Sequence, residues 1–434
     1  MTPLEQELAD LKSFDAGNDL LCGVTLHPAQ IVDALKMLYS KRAILRYDTG
    51  TGKTLVASAV IKMLSREDSS RRFLMFVKKD QCIQTPKKMM GYLNMPVIAS
   101  CASDSDVRNK ILSERYLQCP VVLLTYECLR NQSVMKNLFK NRDKFCCVIM
   151  DEAHTINNVG YAKSADMMAG LVSRFEYCFA LTATPFLTTP LQFAKLACIV
   201  APGKFPDYRK LCRNLERGTF CIGDDPLFFI NRTAEEMGRH SKYCGHIIWV
   251  DAMPHQLAEA GGDALMRLCK GDGAINQAVS LVNTIKALEG KKGLVYVRQH
   301  SVREWIIKFF DKAGICYECI NGNVVKERPQ ILERFNQGED LDVLITSVTT
   351  AIDADCDYVC FYEFTVELKQ MIGRADRGLE SKIVDIFYFL TKGSSEVGYF
   401  LEKIVARSEL VKEILGVSIQ EVEGLCVELE NEVT

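Results

Sequence analysis

Residues 43–54 read Ala43-Ile44-Leu45-Arg46-Tyr47-Asp48-Thr49-Gly50-Thr51-Gly52-Lys53-Thr54, an apolar run that leads into a turn rich in glycine and threonine. The run predicts a buried strand, and residues 55–64 predict the helix that follows the turn. Gly50 and Gly52 allow positive φ angles, so backbone N–H groups and the positive end of the helix can converge on phosphate groups. Strand, loop and helix in this order predict an α/β fold with a phosphate-binding loop.

The end of this stretch has the groups that a nucleoside triphosphate requires. Lys53 adds a positive charge at the β- and γ-phosphates, and the Thr54 hydroxyl suits Mg²⁺. The strict pattern has glycine at position 47, where this chain has Tyr47, so a glycine-rich turn with an incidental lysine is the alternative. The predicted ATP-binding residues of the loop are Gly50, Thr51, Gly52, Lys53 and Thr54.

A second apolar run, residues 145–150, ends in Asp151-Glu152-Ala153-His154. A buried strand that ends in two carboxylates places Asp151 where it can hold Mg²⁺, and Glu152 where it can orient and deprotonate the attacking water. Two acidic residues in a solvated turn are the alternative, which the upstream phosphate loop makes unfavourable. Lys53, Asp151 and Glu152 are therefore predicted catalytic residues of an ATP hydrolase, with Thr54 and Asp151 as the metal ligands.

A chain of 434 residues with 48% hydrophobic and 25% charged side chains can form two domains with sizeable cores or one large domain, and two domains are the preferred prediction. The formal net charge of −2 neither supports nor excludes a polynucleotide partner, and any binding groove must be locally positive. Residues 1–15 are polar and acidic, and no apolar run reaches membrane-spanning length. We expect a soluble protein that is not secreted and has no membrane partner.

Eighteen cysteines are scattered through apolar runs, which is typical of free thiols in a reducing, intracellular compartment such as cytoplasm or nucleus. The pairs Cys316/Cys319 and Cys356/Cys360 could suggest zinc. Both pairs fall in strand-like patterns, where neighbouring side chains point to opposite faces. The sequence therefore predicts no zinc site at either pair.

Short apolar runs alternate with helical patterns along the chain, which is typical of parallel sheets flanked by helices. One series lies before residue 205 and a second lies between residues 271 and 395. We therefore predict two parallel-sheet domains with a helical connector and C-terminal helices. Their predicted bounds are 1–205 for the N-terminal ATP-binding domain, 206–270 for the connector, 271–395 for the C-terminal domain and 396–434 for the helical tail.

Further motifs accompany the two nucleotide motifs, namely His27-Pro28-Ala29-Gln30, Leu124-Thr125-Tyr126-Glu127, Leu181-Thr182-Ala183-Thr184-Pro185 and Gln370-Met371-Ile372-Gly373-Arg374-Ala375-Asp376-Arg377. In this order and spacing, over roughly residues 20–415, the chain resembles helicase superfamily two of the Asp-Glu-Ala-His type. The closest resemblance is to the Swi/Snf-type helicase-like ATPases, on Thr125-Tyr126-Glu127 and on residues 201–205. It implies two tandem RecA-like domains of the P-loop NTPase fold.

The resemblance also implies roles at the nucleotide. Gln30 would contact the adenine edge with an amide that both donates and accepts, although a surface glutamine is the alternative. Gln370, Arg374 and Arg377 would be catalytic, with the two arginines stabilising charge on the γ-phosphoryl group. Two arginines on a solvated helix are the ordinary alternative.

Other motif residues would link the phosphate state to domain closure. Thr182 and Thr184 could do so through hydroxyl hydrogen bonds, or could simply cap the following turn. Ala351 stands where the family usually has glycine, so a methyl group restricts close backbone approach at that loop. The coupling residues implied by the resemblance are His154, Thr182, Thr184 and Asp353.

Short polar stretches follow four of the predicted strands and would line the carboxyl ends of the sheets, where open α/β sheets bind ligands. By resemblance, these residues would grip the sugar-phosphate backbone and read charge rather than sequence. A solvated pair is the alternative for Lys78 and Lys79. The candidate nucleic-acid contacts are Lys78, Lys79, Thr125, Tyr126, Arg298, Thr346 and Ser347.

Together these features predict an ATP hydrolase that is stimulated by DNA and moves on nucleic acid as a translocase or helicase, with double-stranded DNA preferred. ATP and Mg²⁺ are the expected cofactors. An RNA helicase, which would share every nucleotide motif, is one alternative. A nucleotide-dependent scaffold without motor activity is the other; it would be expected to have degenerate catalytic residues, and because those residues are all present here it ranks last. We expect a monomer, leave open a protein partner for targeting, and expect a viral, phage or mobile-element source from size alone.

Overall fold

The computed structural model describes residues 20–82, 84–100, 118–157, 162–185, 189–220, 225–238, 242–251, 275–321, 327–338, 340–347, 352, 354–364, 371–372, 382–392 and 400. Two compact units divide the chain, the first from Met1 to Gly238 and the second from Arg239 to Thr434. Each unit is built around one parallel β-sheet. None of the helices in the described ranges is long and apolar enough to cross a bilayer.

The strands of the first unit are β1 (Arg42–Tyr47), β2 (Phe73–Val77), β3 (Val97–Ser100), β4 (Val121–Thr125), β5 (Cys147–Asp151), β6 (Tyr177–Thr182) and β7 (Phe229–Arg232). They form one sheet in the order β3-β4-β2-β5-β6-β1-β7, and every pairing is parallel. Because all strands run the same way, their carboxyl ends meet at one edge of the sheet. That edge carries both nucleotide motifs.

The helices of the first unit are α1 (Pro28–Ser40), α2 (Lys53–Glu67), α3 (Gln84–Leu93), α4 (Gln132–Asn141), α5 (Ala162–Val172), α6 (Pro190–Val200) and α7 (Tyr208–Glu216). Their ends follow local chemistry. Pro28 occupies the first turn of α1, where its missing N–H costs nothing. The Asn131 side chain accepts hydrogen bonds from the first N–H groups of α4, and Asp207 does the same for α7.

The strands of the second unit are β8 (Lys242–Val250), β9 (Gly293–Tyr296), β10 (Tyr317–Ile320), β11 (Val343–Thr346), β12 (Tyr358–Phe361) and β13 (Ile383–Thr391). They form a parallel sheet in the order β10-β11-β9-β12-β13-β8. The described helices of this unit are α8 (Ile275–Ala287), α9 (His300–Ala313) and α10 (Arg328–Gln337). The edge strand β8 pairs with β13 along its whole length, from Lys242 opposite Ile383 to Val250 opposite Thr391.

The predicted fold class is confirmed, since the two series of apolar runs form two parallel sheets with helices. All side chains of β2 and β12 are buried. Parallel strands that are covered on both faces read as continuous apolar runs, which is why the sequence pattern revealed them. Buried side chains of the strands form apolar clusters in both units.

The segment 206–270, predicted as a helical connector, contains α7 but also two strands. β7 completes the first sheet beside β1, and β8 forms an edge of the second sheet. The division between the units, after Gly238, falls inside this segment. β7 has only four residues, and the β8 side chains from Tyr243 to Trp249 are partly buried or exposed, so neither strand gives a long apolar run. The predicted helical tail lies outside the described residues, apart from Phe400.

Candidate active site

The phosphate loop, residues 48–52, connects the buried strand β1 to the first turn of α2. Gly50 has φ 82° and Gly52 has φ 94°, so both occupy the left-handed region that favours glycine. A Cβ atom at Gly52 would collide with the Gln30 amide. The Thr51 hydroxyl donates to the Asp48 carbonyl oxygen at 2.7 Å and closes the turn. The loop thus has the compact shape that brings backbone N–H groups to an anion.

Lys53 lies within this loop and is only 8% exposed. Its ammonium donates to the carbonyl oxygens of Tyr47 at 3.2 Å and of Asp48 at 3.5 Å. Both acceptors belong to the backbone that enters the loop. The cation is therefore already positioned where the sequence pattern predicts phosphate binding.

Gln30 connects α1 to the phosphate loop. Its Oε1 accepts from the His27 N–H at 2.9 Å, and its Nε2 donates to the Thr51 carbonyl oxygen at 2.9 Å. One N–H and one lone pair of this amide are left for other partners, so adenine contact stays a prediction. The sequence did not indicate that the same side chain also supports the loop.

A buried polar cluster lies behind the loop, and the sequence reasoning missed it. Asp33 is 0% exposed and accepts from the Tyr47 hydroxyl at 2.7 Å. The Arg232 guanidinium donates to both oxygens of the same carboxylate, at 2.8 and 3.0 Å. A bidentate guanidinium and a phenol together compensate the desolvated charge. Burial, and then the adjacent Asp33 carboxylate, raise the pKa of Tyr47 far above its ordinary range.

This cluster explains why tyrosine occupies the position where the strict loop pattern has glycine. Tyr47 attaches the end of β1 to α1, while Gln30, one turn before Asp33, attaches the middle of the loop to the same helix. A polar pair three residues apart on the buried face of α1 was the signal available in the sequence.

Asp48, the first residue of the loop, accepts hydrogen bonds from β1 and from the segment that follows β7. Asp48 accepts from the Arg46 guanidinium at 2.6 Å and from the Ala234 N–H at 2.9 Å. Arg46 also donates to the Asn231 side chain at 3.0 Å. Residues 231–234, which lie about 180 positions further along the chain, therefore help to shape the phosphate loop.

The Arg232→Ala variant is expected to lose about 3 kcal/mol of unfolding free energy, because it leaves the Asp33 carboxylate buried without its bidentate partner. Urea unfolding followed by circular dichroism measures this loss. Arg217→Ala, at an exposed position after α7, is the matched control and should change stability by less than about 0.5 kcal/mol. Equal stability of the two variants would contradict the structural role of this cluster.

The acidic motif begins where β5 ends. Asp151 and Glu152 are 3% and 2% exposed, and the Asp151 carboxylate accepts from the Glu152 N–H at 3.0 Å. Glu152 has φ 48°, a left-handed conformation that costs a glutamate about 1 kcal/mol. The Tyr126 hydroxyl donates to the Asp151 carbonyl oxygen at 2.7 Å and fixes the strand end. Burial, followed by the charges of Asp151 and Glu152, raises the pKa of Tyr126 well above its ordinary range.

His154 connects the acidic motif to the end of β6. Its Nδ1 lies 3.5 Å from Glu152 Oε2 and 3.1 Å from Thr182 Oγ1. The Thr182 hydroxyl donates to the Thr184 carbonyl oxygen at 3.0 Å and also accepts from the Thr184 N–H at 3.1 Å. Because its single proton goes to Thr184, the geometry gives the donor role to the His154 Nδ1–H. Three of the predicted coupling residues thus lie in one buried chain.

The predicted nucleic-acid contacts divide into exposed and buried residues. Lys79 and Arg298 are exposed, two residues after the ends of β2 and β9. Lys78 and Ser347 are partly exposed and directly follow β2 and β11. By contrast, three of the predicted contact residues have fully buried side chains. A side chain that is buried in this way does not reach nucleic acid at the surface. These three residues are Thr125, Tyr126 and Thr346.

Thr125 and Tyr126 have internal partners instead. The Thr125 hydroxyl lies 3.7 Å from Cys128 Sγ, and Tyr126 binds the end of β5. Strand-end position alone predicted exposure, but the short helical turn Tyr126–Arg130 folds these side chains inward. Four predicted site residues lie outside the described residues, namely Asp353, Gln370, Arg374 and Arg377.

Comparisons with known proteins agree with this geometry. Residues 24–187 match a family model described as type III restriction enzyme, res subunit. An uncharacterized ATP-dependent helicase, YqhH of Bacillus subtilis (strain 168), is 22% identical over 177 residues. That match covers 41% of this chain and 29% of the relative, so the chain spans less than a third of that protein's length.

Solved structures resemble the chain over both units. The Hef helicase domain of Pyrococcus furiosus has a TM-score of 0.53 at 14% identity, with 87% of this chain and 98% of that chain covered. The SWI2/SNF2 ATPase core of Sulfolobus solfataricus, solved in complex with double-stranded DNA, has a TM-score of 0.44 at 16% identity, covering 92% and 98%. The first likeness shows that the two-sheet fold is similar to the fold of the Hef helicase domain.

Proposed function

We propose that the chain is a helicase of superfamily two, an ATP hydrolase that moves on nucleic acid, with double-stranded DNA preferred. The matched family model, the partial likeness to an ATP-dependent helicase and the two-sheet fold support its assignment to this class. The buried chain from Glu152 through His154 to Thr182 carries the proposal. It lies at the same sheet edge as the phosphate loop, because β6 separates β5 from β1 in a parallel sheet. A buried carboxylate that can act as general base, a histidine beside it that hydrogen-bonds to Thr182, and a phosphate loop at the same edge suit hydrolysis that is coupled to movement.

ATP binding is assigned to Gln30 and to the loop residues from Gly50 to Thr54. The loop N–H groups and the N-terminus of α2 would receive the phosphates, and the Lys53 ammonium would turn from the Tyr47 and Asp48 carbonyl oxygens towards them. Gln30 would hydrogen-bond to the adenine ring through its remaining N–H and lone pair, while its other N–H donates to the Thr51 carbonyl oxygen and supports the loop. This dual contact makes the loop's shape dependent on the nucleotide.

The donor set at this edge fits Mg²⁺, which prefers oxygen ligands. Thr54 and Asp151 would hold the ion, the former with its hydroxyl and the latter with a carboxylate whose backbone is fixed by Tyr126. When bound, Mg²⁺ neutralises charge on the β- and γ-phosphates. Asp151 suits this role because it is only 3% exposed and rigidly placed.

Glu152 is the proposed base that orients and deprotonates the attacking water. Its left-handed backbone and its position beside His154 restrict where the carboxylate can point. His154, Thr182 and Thr184 would transmit a change at the γ-phosphate to the end of β6. Gln370, Arg374 and Arg377 complete the proposed catalytic set, and Asp353 the coupling set, on the strength of the sequence motifs alone.

ATP turnover measured with single-stranded DNA, duplex DNA and RNA tests the proposed function. We expect duplex DNA to raise kcat most, because the Swi/Snf-like motifs indicate translocation on duplex DNA. Turnover that rises only with RNA would favour the RNA-helicase alternative. Turnover that no nucleic acid changes would contradict the motor proposal. A strand-displacement assay then separates helicase from translocase activity.

Lys79 and Arg298 are proposed to contact the sugar-phosphate backbone, because both are exposed at the carboxyl ends of their sheets. Each alanine variant is expected to weaken DNA binding and to lower the slope of log affinity against log salt by about 1. Lys144→Ala and Lys312→Ala are the matched controls, since both lysines are exposed and precede β5 and β10 at the opposite edges. If the slope of log affinity against log salt is the same in these variants as in the controls, Lys79 and Arg298 do not contact the nucleic acid.

A further inference from the structure

A cluster of metal-ligand side chains lies on the second sheet, at the start of β8 and β13. Cys244 and His246 are two residues apart on β8, so their side chains point to the same face. Asp385 is the register partner of Cys244 on β13. One ligand atom from each of the three side chains lies within 4.8 Å of the other two.

The strands and their neighbours fix the shape of this cluster. His246 Nε2 and Asp385 Oδ1 are 3.0 Å apart. The imidazole stacks on the Phe387 ring, with centroids 4.9 Å apart and planes inclined by 21°. Two strands that pair over nine residues form a more rigid support than a loop would. The ligand atoms are therefore held close together before any ion arrives.

We propose that Cys244, His246 and Asp385 form a zinc-binding site. Zinc is held at about 2.0–2.3 Å from sulfur, nitrogen and oxygen ligands, which places tetrahedral neighbours about 3.3–3.7 Å apart. The separation of 3.0 Å between His246 and Asp385 is near this value, and Cys244 needs a shift of about 1 Å at most. Cys244 is an exposed free thiol, so a water molecule can reach the fourth position.

The charge balance favours a divalent ion that accepts sulfur. A thiolate and a carboxylate together neutralise Zn²⁺, and imidazole completes a mixed set that zinc prefers and that Mg²⁺ does not. The Asp385 oxygen that faces away from His246 lies 3.5 Å from Lys291 Nζ. The Lys291 ammonium can therefore orient the Asp385 carboxylate without itself binding the metal, as groups that contact metal ligands commonly do.

This site is separate in chemistry from the proposed ATP site, where all metal ligands are oxygens. Neither of the cysteine pairs that suggested zinc in the sequence contributes to it. Cys244 and His246 gave no signal, because the third ligand follows about 140 residues later. Zinc binding there would stabilise β8, which lies at an edge of the sheet and pairs with β13.

Cobalt titration of the reduced, chelator-treated full chain, without nucleotide, tests the proposal. Co²⁺ is a spectroscopic probe for zinc sites, and a thiolate ligand gives a sulfur-to-cobalt absorption band in the near ultraviolet. We expect one equivalent of Co²⁺ to produce this band, one equivalent of Zn²⁺ to abolish it, and binding to release protons because the ligands must be deprotonated. Absence of a thiolate band would overturn the proposal.

Variants assign the ligands. Cys244→Ser should remove the thiolate band, and His246→Ala and Asp385→Asn should each weaken Co²⁺ binding by more than about 100-fold, since loss of an outer partner alone costs about 10–100-fold. Cys316→Ser is the matched control, because Cys316 is an exposed thiol outside the cluster. A band that survives in Cys244→Ser would place the metal elsewhere and overturn the assignment. Circular dichroism confirms that each variant is folded, and none of these outcomes depends on ATP hydrolysis.

Discussion

The Glu152→Gln variant is expected to bind ATP with the affinity of the unaltered protein and to hydrolyse it about 10²–10⁴-fold more slowly. An amide preserves the shape of the side chain but cannot take a proton from water. Glu152 is 2% exposed, so bulk water does not readily replace it as a base. Equilibrium binding of labelled ATP and steady-state phosphate release measure the two properties separately.

Glu235→Gln is the matched control for this experiment, because it makes the same chemical change at an exposed position of the same unit. Its turnover should equal that of the unaltered protein. Normal hydrolysis by Glu152→Gln would show that another group is the base. A parallel loss of ATP affinity would instead indicate that the carboxylate shapes the pocket through His154, from which it is 3.5 Å distant.

The Lys53→Ala variant is expected to lose ATP affinity and turnover together, with kcat/KM lower by at least about 10²–10³-fold. The ammonium is the proposed charge at the phosphates, and the loop carbonyl oxygens of Tyr47 and Asp48 hold it in place. An interaction made in both the ground state and the transition state affects KM as well as kcat. Binding and turnover assays with the same preparations measure both effects.

Lys62→Ala is the control for this variant, because Lys62 lies on the same helix but donates to the Leu93 carbonyl oxygen rather than to the loop. Removal of that lysine should leave nucleotide binding intact. If Lys53→Ala bound ATP normally, residues 48–54 would not form the phosphate site, and the proposed function would lose its basis.

Local patterns made the nucleotide motifs and the sheets predictable. Glycine at positions 50 and 52 predicted positive φ angles, and the structure has both. The apolar run before Asp151 predicted a buried strand, which is β5. These features depend on neighbours in sequence, since glycine geometry and strand burial are decided within a few residues.

Partners distant in the chain could not be predicted in the same way. Asp33 meets Arg232 across 199 positions, and no local pattern specifies that pairing. Tyr126 follows a strand, as predicted, but its hydroxyl turns inward to the Asp151 carbonyl oxygen. Tertiary contacts, rather than the order of residues along a strand, decide whether such polar side chains face solvent or the interior.

The late strand β7 has a practical consequence for dissecting this protein. A fragment that ends at residue 205 lacks β7, so β1 becomes an unpaired edge strand that can promote self-association. In the same fragment, Asp33 loses its hydrogen bonds from Arg232, and Asp48 loses the one from the Ala234 N–H. A fragment that keeps the contacts of the phosphate loop must therefore extend to Gly238, more than thirty residues beyond residue 205, where the last sequence motif of this unit ends.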